Sequence, residues 1–438
     1  MIKRLLIANR GEIAVRIIRS CREMGIETVA VYSTADAGSL HVRLADKAVC
    51  IGPPPAAKSY LVPENIIMAA LRQGCEAIHP GVGFLSENAC FARLVNKSGL
   101  RFIGPDPCLI ELLGDKVAAR AEALRFGLPV TPGTEEAVGD EQAAKEAVKA
   151  LGLPVIIKAA AGGGGKGMRI VRSMEELSVN LRLCIREAEA NFADNRVFIE
   201  RYVEKPRHVE LQILSDGRGK VAILGERDCT VQQNHQKLIE ESPSPAINDS
   251  IRAKMAAGAS KMFSELKYSG AGTIEFLVES EGFYFMEVNA RIQVEHPVSE
   301  MLTGVDIVRQ QTLACTENRL ELEGGRMPVR GHAIECRINA LSPGKITRLE
   351  TPGGPGVRFD SFLYHSADVP PYYDSMVAKL IVHAENRNAA LARMDRTLSE
   401  LVIDGVKTNQ QKQRRTIAHP VFRSGGFDTS FYETYMDD

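Results

Sequence analysis

The sequence predicts a mixed fold, α/β in its first part and α+β beyond, and two patterns predict it. Leu5-Leu6-Ile7-Ala8 is a short unbroken apolar run, as expected of a parallel strand covered on both faces. Further on, His208-Val209-Glu210-Leu211-Gln212-Ile213-Leu214, Thr273-Ile274-Glu275-Phe276-Leu277 and Phe283-Tyr284-Phe285-Met286-Glu287-Val288 alternate apolar and polar residues. A period of two suits antiparallel strands with one face in a core and the other in a cleft.

In chain order, Asn9-Arg10-Gly11-Glu12 is a turn, and Ile13, Ile17, Ile18 and Cys21 repeat at helical spacing. Thr28-Val29-Ala30-Val31-Tyr32 is the next strand, so the unit is a right-handed βαβ crossover. Ala77-Ile78 and Arg101-Phe102-Ile103-Gly104 are later strands of the same sheet, and this first domain ends near Gly114. Between Thr131 and about Val203 lies a second unit with helices at 141–151 and 175–191, two apolar strands and a glycine-rich turn. The tail from Gly331 is strand-rich and ends in a helix near 389–401.

Composition narrows the function. Lys plus Arg number 54 and Asp plus Glu 55, so no bulk charge draws the chain to nucleic acid or a membrane. The nine cysteines form no CxxC pair and read as reduced, mostly buried thiols. The first residues lack a signal peptide's cleavage region, and no apolar run is long enough to span a bilayer, which places the protein in the cytoplasm.

Three clusters carry chemistry. Lys158 ends the apolar run Pro154-Val155-Ile156-Ile157 and precedes a loop with five glycines in six positions, 162 to 167. Such a loop lets backbone N–H groups close around phosphate oxygens, and the lysine adds a point charge. It is not a Walker A loop, because Gly167 and Met168 follow Lys166. Secondly, Glu287 and Asn289 are two apart and Glu275 lies on the preceding strand, which gives hard oxygen ligands suited to Mg²⁺. Arg291, Gln293 and Glu295 continue that register, so five polar residues are expected on one strand face as an active-site wall. Thirdly, the stretch from Glu226 to Lys237 is dense in donors, with a plain polar loop as the equal alternative. Cys229 within it reads as a buried thiol.

These segments together resemble the biotin carboxylase family. The resemblance runs through Ile7-Ala8-Asn9-Arg10-Gly11-Glu12-Ile13-Ala14, His79-Pro80-Gly81-Val82-Gly83-Phe84-Leu85-Ser86-Glu87-Asn88 and Gly114-Asp115-Lys116. It continues through Glu287-Val288-Asn289-Ala290-Arg291-Ile292-Gln293-Val294-Glu295-His296-Pro297, Glu335-Cys336-Arg337-Ile338-Asn339-Ala340 and Pro370-Pro371-Tyr372-Tyr373-Asp374-Ser375-Met376. It implies an ATP-grasp fold with an N-terminal Rossmann-like domain (1–114), an ATP-grasp domain (115–330) with a mobile lid at about 131–203, and a strand-rich C-terminal domain (331–438).

The resemblance also implies roles. Lys116, Lys158 and His208 contact ATP phosphates, which the loop bearing Gly163, Gly164, Gly165, Lys166 and Gly167 covers. Glu200, Arg201 and Val203 form the adenine hinge, with Met168 and Leu277 packing on the base. Glu275 and Glu287, helped by Asn289, hold Mg²⁺ (or Mn²⁺). Gln232, His235 and Lys237 face the γ-phosphate and bicarbonate. Arg291, Gln293 and Val294 bind bicarbonate, Glu295 is its general base, and Arg337 stabilises the charge on the ureido oxygen of biotin.

Two positions depart from the family: Val82 stands where tyrosine is common, and the segment after Ala340 is short. With no Met-Lys-Met attachment site in the chain, biotin is expected on a separate biotin carboxyl carrier protein, working with carboxyltransferase subunits of an acetyl-CoA carboxylase. A homodimer is expected, with Arg19, Glu23 and Arg358 near its interface. The rivals are a subunit of a pyruvate or other acyl-CoA carboxylase, and a catalytically silent nucleotide-binding subunit.

Overall fold

The computed structural model describes residues 1–134, 136–138, 140–160, 167–192, 194–279 and 282–436. Five parallel strands open the fold, in the order Lys47–Gly52, Glu27–Ser33, Arg4–Ile7, Ala77–His79 and Arg101–Phe102. Arg4–Ile7 is central and Leu5, Leu6 and Ile7 are wholly buried, hence its unbroken apolar run. The edge strand Lys47–Gly52 carries no such signal, because Ile51 is its one buried residue. The helix Gly11–Glu23 packs Ile13, Ile17, Ile18 and Cys21 onto this sheet, as their spacing predicts.

The second unit is a three-stranded antiparallel sheet, Met168–Val171, Val155–Ala159 and Val197–Arg201, with the helices Glu141–Leu151 and Met174–Phe192. It has a core of its own, formed by Val148, Val155, Ile157, Leu177, Leu181, Val197 and Ile199. Asp140 starts the first helix by accepting from the Ala143 N–H.

One nine-stranded sheet makes up most of the remainder. Its path is Phe283–Asn289, Ser269–Val278, Arg207–Asp216, Val221–Gln233, Gln236–Ser242, His332–Asn339, Met376–Ala384 and Val357–Ser361, with Gly325–Arg326 beside Val221–Gln233. Its hydrogen-bonded ladder passes from the middle of the chain to the tail at Glu240↔Glu335 and Ile239↔Cys336. Every residue of Arg207–Asp216 is buried, including His208, Glu210 and Gln212. The polar side of its period-two pattern therefore faces the interior.

Three expectations are corrected. The strand carrying Glu287 and Asn289 stops at Asn289, so Arg291, Gln293 and Glu295 do not extend it. The chain turns instead and enters the helix His296–Thr303, where Pro297 suits the first turn. The stretch 226–237 is a hairpin whose two-residue turn, Asn234-His235, has positive φ at both positions, 51° and 61°. The tail does not end at the helix Arg387–Glu400: Gln410–Ala418, Pro420–Ser424 and Phe431–Tyr435 follow. Gln410-Gln411-Lys412-Gln413-Arg414-Arg415 is too polar to show an apolar helical period. All nine cysteines are free thiols.

Candidate active site

Lys237 is the hub of the polar face. Its Nζ lies 2.8 Å from Glu210, 3.0 Å from Glu275 and 2.8 Å from Glu295. Three ammonium protons thus meet three carboxylates, brought in by the strands Arg207–Asp216 and Ser269–Val278 and the turn before His296–Thr303. The second oxygen of Glu295 is 2.9 Å from Arg337, which also binds Glu240 at 2.6 Å. All four carboxylates are buried.

That crowding sets the proton affinities. Burial alone would raise the Glu295 carboxyl, but Lys237 and Arg337 outweigh it and hold it well below the usual range. Glu210 goes the other way: burial lifts it to about 7 against the pull of Arg227 and Lys237. Burial lowers the affinity of Lys237 for its proton, yet the surrounding anions raise it well above that of a free lysine. Directly across the ladder from Glu240, Glu335 is wholly buried and pushed far upward by that burial and by Glu240. Burial likewise raises the Cys229 thiol well above its ordinary value.

Glu275 and Glu287 face each other in register on neighbouring strands. Gln232 donates to His208 Nδ1 at 2.7 Å, which leaves the Nε2–H to donate to Glu275 at 2.5 Å. Asn289 and Gln293 also donate to Glu275, at 2.6 and 3.0 Å. Arg291 holds this wall together, donating to Asn289 at 2.9 Å, to Gln293 at 2.7 Å and to Glu87 at 2.8 Å. Three residues that leave the strand register are thus still gathered, by side-chain contacts rather than by pleat.

The chain matches the family described as "Biotin carboxylase, N-terminal domain" over residues 1–110, and "Biotin carboxylase C-terminal domain" over 335–434. Residues 115–322 match "Carbamoyl-phosphate synthase L chain, ATP binding domain". A biotin carboxylase of Nostoc sp. is 51% identical over 440 residues, which covers 98% of each chain. The chain belongs to the biotin carboxylase family. Its members are ligases that carboxylate biotin with ATP and bicarbonate, and the fold is the family's ATP-grasp fold. A Campylobacter jejuni biotin carboxylase, solved as a beta-gamma-ATP complex, superposes with a TM-score of 0.97 at 43% identity, covering 99% of both chains. The biotin carboxylase domain dimer of Hydrogenobacter thermophilus 2-oxoglutarate carboxylase, solved with MgADP, ADP and bicarbonate, gives 0.96 at 43% identity. That likeness covers 99% of this chain and 98% of the other.

The remaining residues expected to act in a biotin carboxylase are spread over the small sheet, the large sheet and the helix Lys116–Arg125. Lys158 and Glu200 sit on adjacent strands of the small sheet and pair at 2.6 Å, with Arg120 on the other Glu200 oxygen. Met168 lies opposite Lys158, and Gly167 has φ +66°. Gly163, Gly164, Gly165 and Lys166 fall outside the described residues. Arg201 contacts Glu279 at 3.2 Å, Val203 is buried, and Leu277 lies beside His208 in the large sheet. Lys116 is 3.7 Å from Glu287. His235 is exposed at the hairpin tip and meets no partner among the described residues.

The donor set suits Mg²⁺: two carboxylates in register, one of them, Glu287, engaged by Lys116 alone among the described ion pairs. Asn289 turns its NH₂ to Glu275 and its oxygen to Arg291, so it would have to release Arg291 to serve as a ligand. Glu210, Cys229 and Glu295 also converge, but the Lys237 ammonium already bridges the two carboxylates.

Four site residues were given no individual role from the sequence: Glu210, Glu240, Arg227 and Glu87. Arg227 is wholly buried and donates to Glu210 at 2.6 Å, which fixes the carboxylate that holds Lys237. Glu210 had a legible signal, two residues after His208 on the same strand face. Glu240 had none, because it is defined by a partner 97 residues away, and Glu87 stood in the segment 79–88 without a role, because its partner Arg291 is 204 residues away.

Proposed function

We propose that this chain is the biotin carboxylase subunit of a multi-component acetyl-CoA carboxylase. It would carboxylate biotin on a separate biotin carboxyl carrier protein, using ATP, Mg²⁺ (or Mn²⁺) and bicarbonate, by way of carboxyphosphate. The observation that carries the reading is the Glu295 carboxylate shared between Lys237 and Arg337. One end of that arrangement serves bicarbonate and the other serves biotin.

Lys116, Lys158 and His208 offset phosphate charge, and phosphoryl transfer needs that neutralisation and positioning more than covalent help. Glu275 and Glu287, with Asn289, would hold the metal, which supplies further charge neutralisation when bound. Arg291, Gln293 and Val294 hold bicarbonate. Clamped by two cations, Glu295 is a weak base; an incoming anion that shares Lys237 and Arg337 loosens the clamp and restores basicity. Glu295 then removes the bicarbonate proton, and the freed oxygen attacks the γ-phosphorus as ADP leaves. Carboxyphosphate breaks down to CO₂ and phosphate, which takes the biotin N1 proton. Arg337 stabilises the resulting oxyanion while N1 attacks CO₂. A lid at about 131–203, closing over a labile intermediate, would exclude water.

The division into 1–114, 115–330 and 331–438 belongs to the same reading, although the ladder crosses the second boundary. A homodimer joined near Arg19 and Glu23 is supported by the exposure of both side chains. Arg358 is already paired with Glu300 and Asp360 within the chain, so it would offer one face at most. Carboxyltransferase subunits would consume the carboxybiotin. No described helix is long and apolar enough to cross a membrane.

A second reading, a subunit for another acceptor, has the 2-oxoglutarate carboxylase likeness in its favour. Reconstitution with the carrier and transferase from the same source separates the two. Malonyl-CoA formed from acetyl-CoA supports the first, and carboxylation of a 2-oxo acid alone supports the second.

A further inference from the structure

Behind the 291–295 segment lie two buried donors that the reaction does not consume. Lys379, on the strand Met376–Ala384, is wholly buried, and its Nζ donates to the Val294 carbonyl at 2.8 Å. The same ammonium pairs at 3.0 Å with Glu12, from the helix Gly11–Glu23. His296 is also wholly buried, and its Nδ1 lies 2.6 Å from the Gln293 carbonyl. Three parts of the chain, N-terminal helix, central turn and C-terminal strand, therefore meet at one peptide.

The consequence follows from peptide geometry. Neither peptide bond here is cis, and a trans peptide points its N–H opposite to its C=O. With the Gln293 and Val294 carbonyls fixed on His296 and Lys379, the N–H groups of Val294 and Glu295 point away from that buried side. Neither amide meets an acceptor among the described residues. Successive free amides near a guanidinium, here Arg291, are an anion-binding arrangement. A desolvated ammonium is expensive to bury, and stability alone would favour an apolar side chain at position 379.

We propose that Lys379, seated on Glu12, is a positioning residue for bicarbonate: it fixes the Val294 carbonyl so that the two amides face the anion. The proposal rests on reading 291–295 as the bicarbonate site. Lys379 itself touches no substrate.

The test compares Glu12→Gln/Lys379→Met, Lys379→Arg and Arg291→Ala by thermal melting and by steady-state kinetics in bicarbonate and in MgATP. The double variant removes both buried charges, so its melting temperature stays near or above that of the parent. Its KM for bicarbonate rises about tenfold or more, the size of a lost hydrogen bond from a charged group, with KM for MgATP little changed. Lys379→Arg keeps the charge for Glu12 but replaces a compact ammonium with a planar fork, and raises the bicarbonate KM in the same direction. A normal bicarbonate KM in either Lys379 variant, with Arg291→Ala raised, overturns the positioning role. A normal bicarbonate KM in Arg291→Ala overturns the underlying site.

Discussion

Arg337 and Glu295 meet at 2.9 Å although the strand His332–Asn339 and the turn before His296 lie far apart in the chain. Lys237 holds the other Glu295 oxygen at 2.8 Å. The base assigned to activate bicarbonate is therefore bonded directly to the group assigned to stabilise the biotin oxyanion. Removing either changes the other's environment, yet the two act at different steps.

Glu295→Ala takes away the base and leaves Lys237 and Arg337 each short of a partner. Bicarbonate-dependent ATP cleavage should fall by roughly 10²–10⁴-fold, the usual range for a lost general base. ADP release measured at saturating bicarbonate checks it, and a fall of less than about threefold would remove Glu295 from that role.

Glu287 is the more available of the two paired carboxylates, with Lys116 3.7 Å away. Glu287→Gln should depress turnover and raise the Mg²⁺ concentration needed for half-maximal rate, with the melting temperature preserved. An unchanged Mg²⁺ dependence at normal turnover would contradict the metal assignment.

Glu241 gives a pH prediction away from the site. Its buried carboxylate accepts from His332 at 2.8 Å and from Arg387 at 2.6 and 3.0 Å. Burial alone would raise this carboxyl, but His332 and Arg387 hold it below its ordinary value. A depressed carboxyl contributes stability above its unfolded pKa and loses it as pH falls through the folded value. Glu241→Gln should cost about 3–5 kcal/mol near pH 7, and the gap to the parent should shrink below about pH 4. Denaturation at both pH values tests this; a gap independent of pH would show that the ionised pair is not its source.

Val82 is half-buried on a turn that Asn9 shapes, donating to the Pro80 and Val82 carbonyls at 2.7 and 2.8 Å. Gly81 there has φ +68°, and a Cβ would lie 2.8 Å from the Asn9 amide. A tyrosine at 82 would add an aromatic contact worth about 0.5–1.5 kcal/mol and a hydrogen bond worth about as much. Val82→Tyr should therefore lower KM for free biotin by about ten- to a hundredfold. An unchanged KM would show that the position does not reach biotin.

The parts of the fold legible in the sequence were those with local signals. Leu5-Leu6-Ile7 announced a doubly covered strand, and the spacing of Ile13, Ile17 and Ile18 announced the helix beneath it. The alternation around Glu275 and Glu287 was right for strands, but extending it to Glu295 was not. Pro297 and the turn from 290 onward break the pleat, and side-chain bonds through Arg291 restore the grouping. Glu240 and Lys379 were silent because a buried ion pair between elements distant in the chain leaves no periodic trace. Lys158 was legible from the glycine-rich loop that follows it, Glu200 was placed by family resemblance alone, and their pairing needed the sheet register.

The most direct test of the account is the split between two activities in Arg337→Ala. ADP release driven by bicarbonate and carboxylation of biotin are measured in the same preparation, with and without biotin. The account predicts that carboxylation falls by about 10²–10³-fold, as for loss of one oxyanion partner, while bicarbonate-dependent ADP release falls far less. Equal loss of both activities would contradict the separate roles assigned to Glu295 and Arg337.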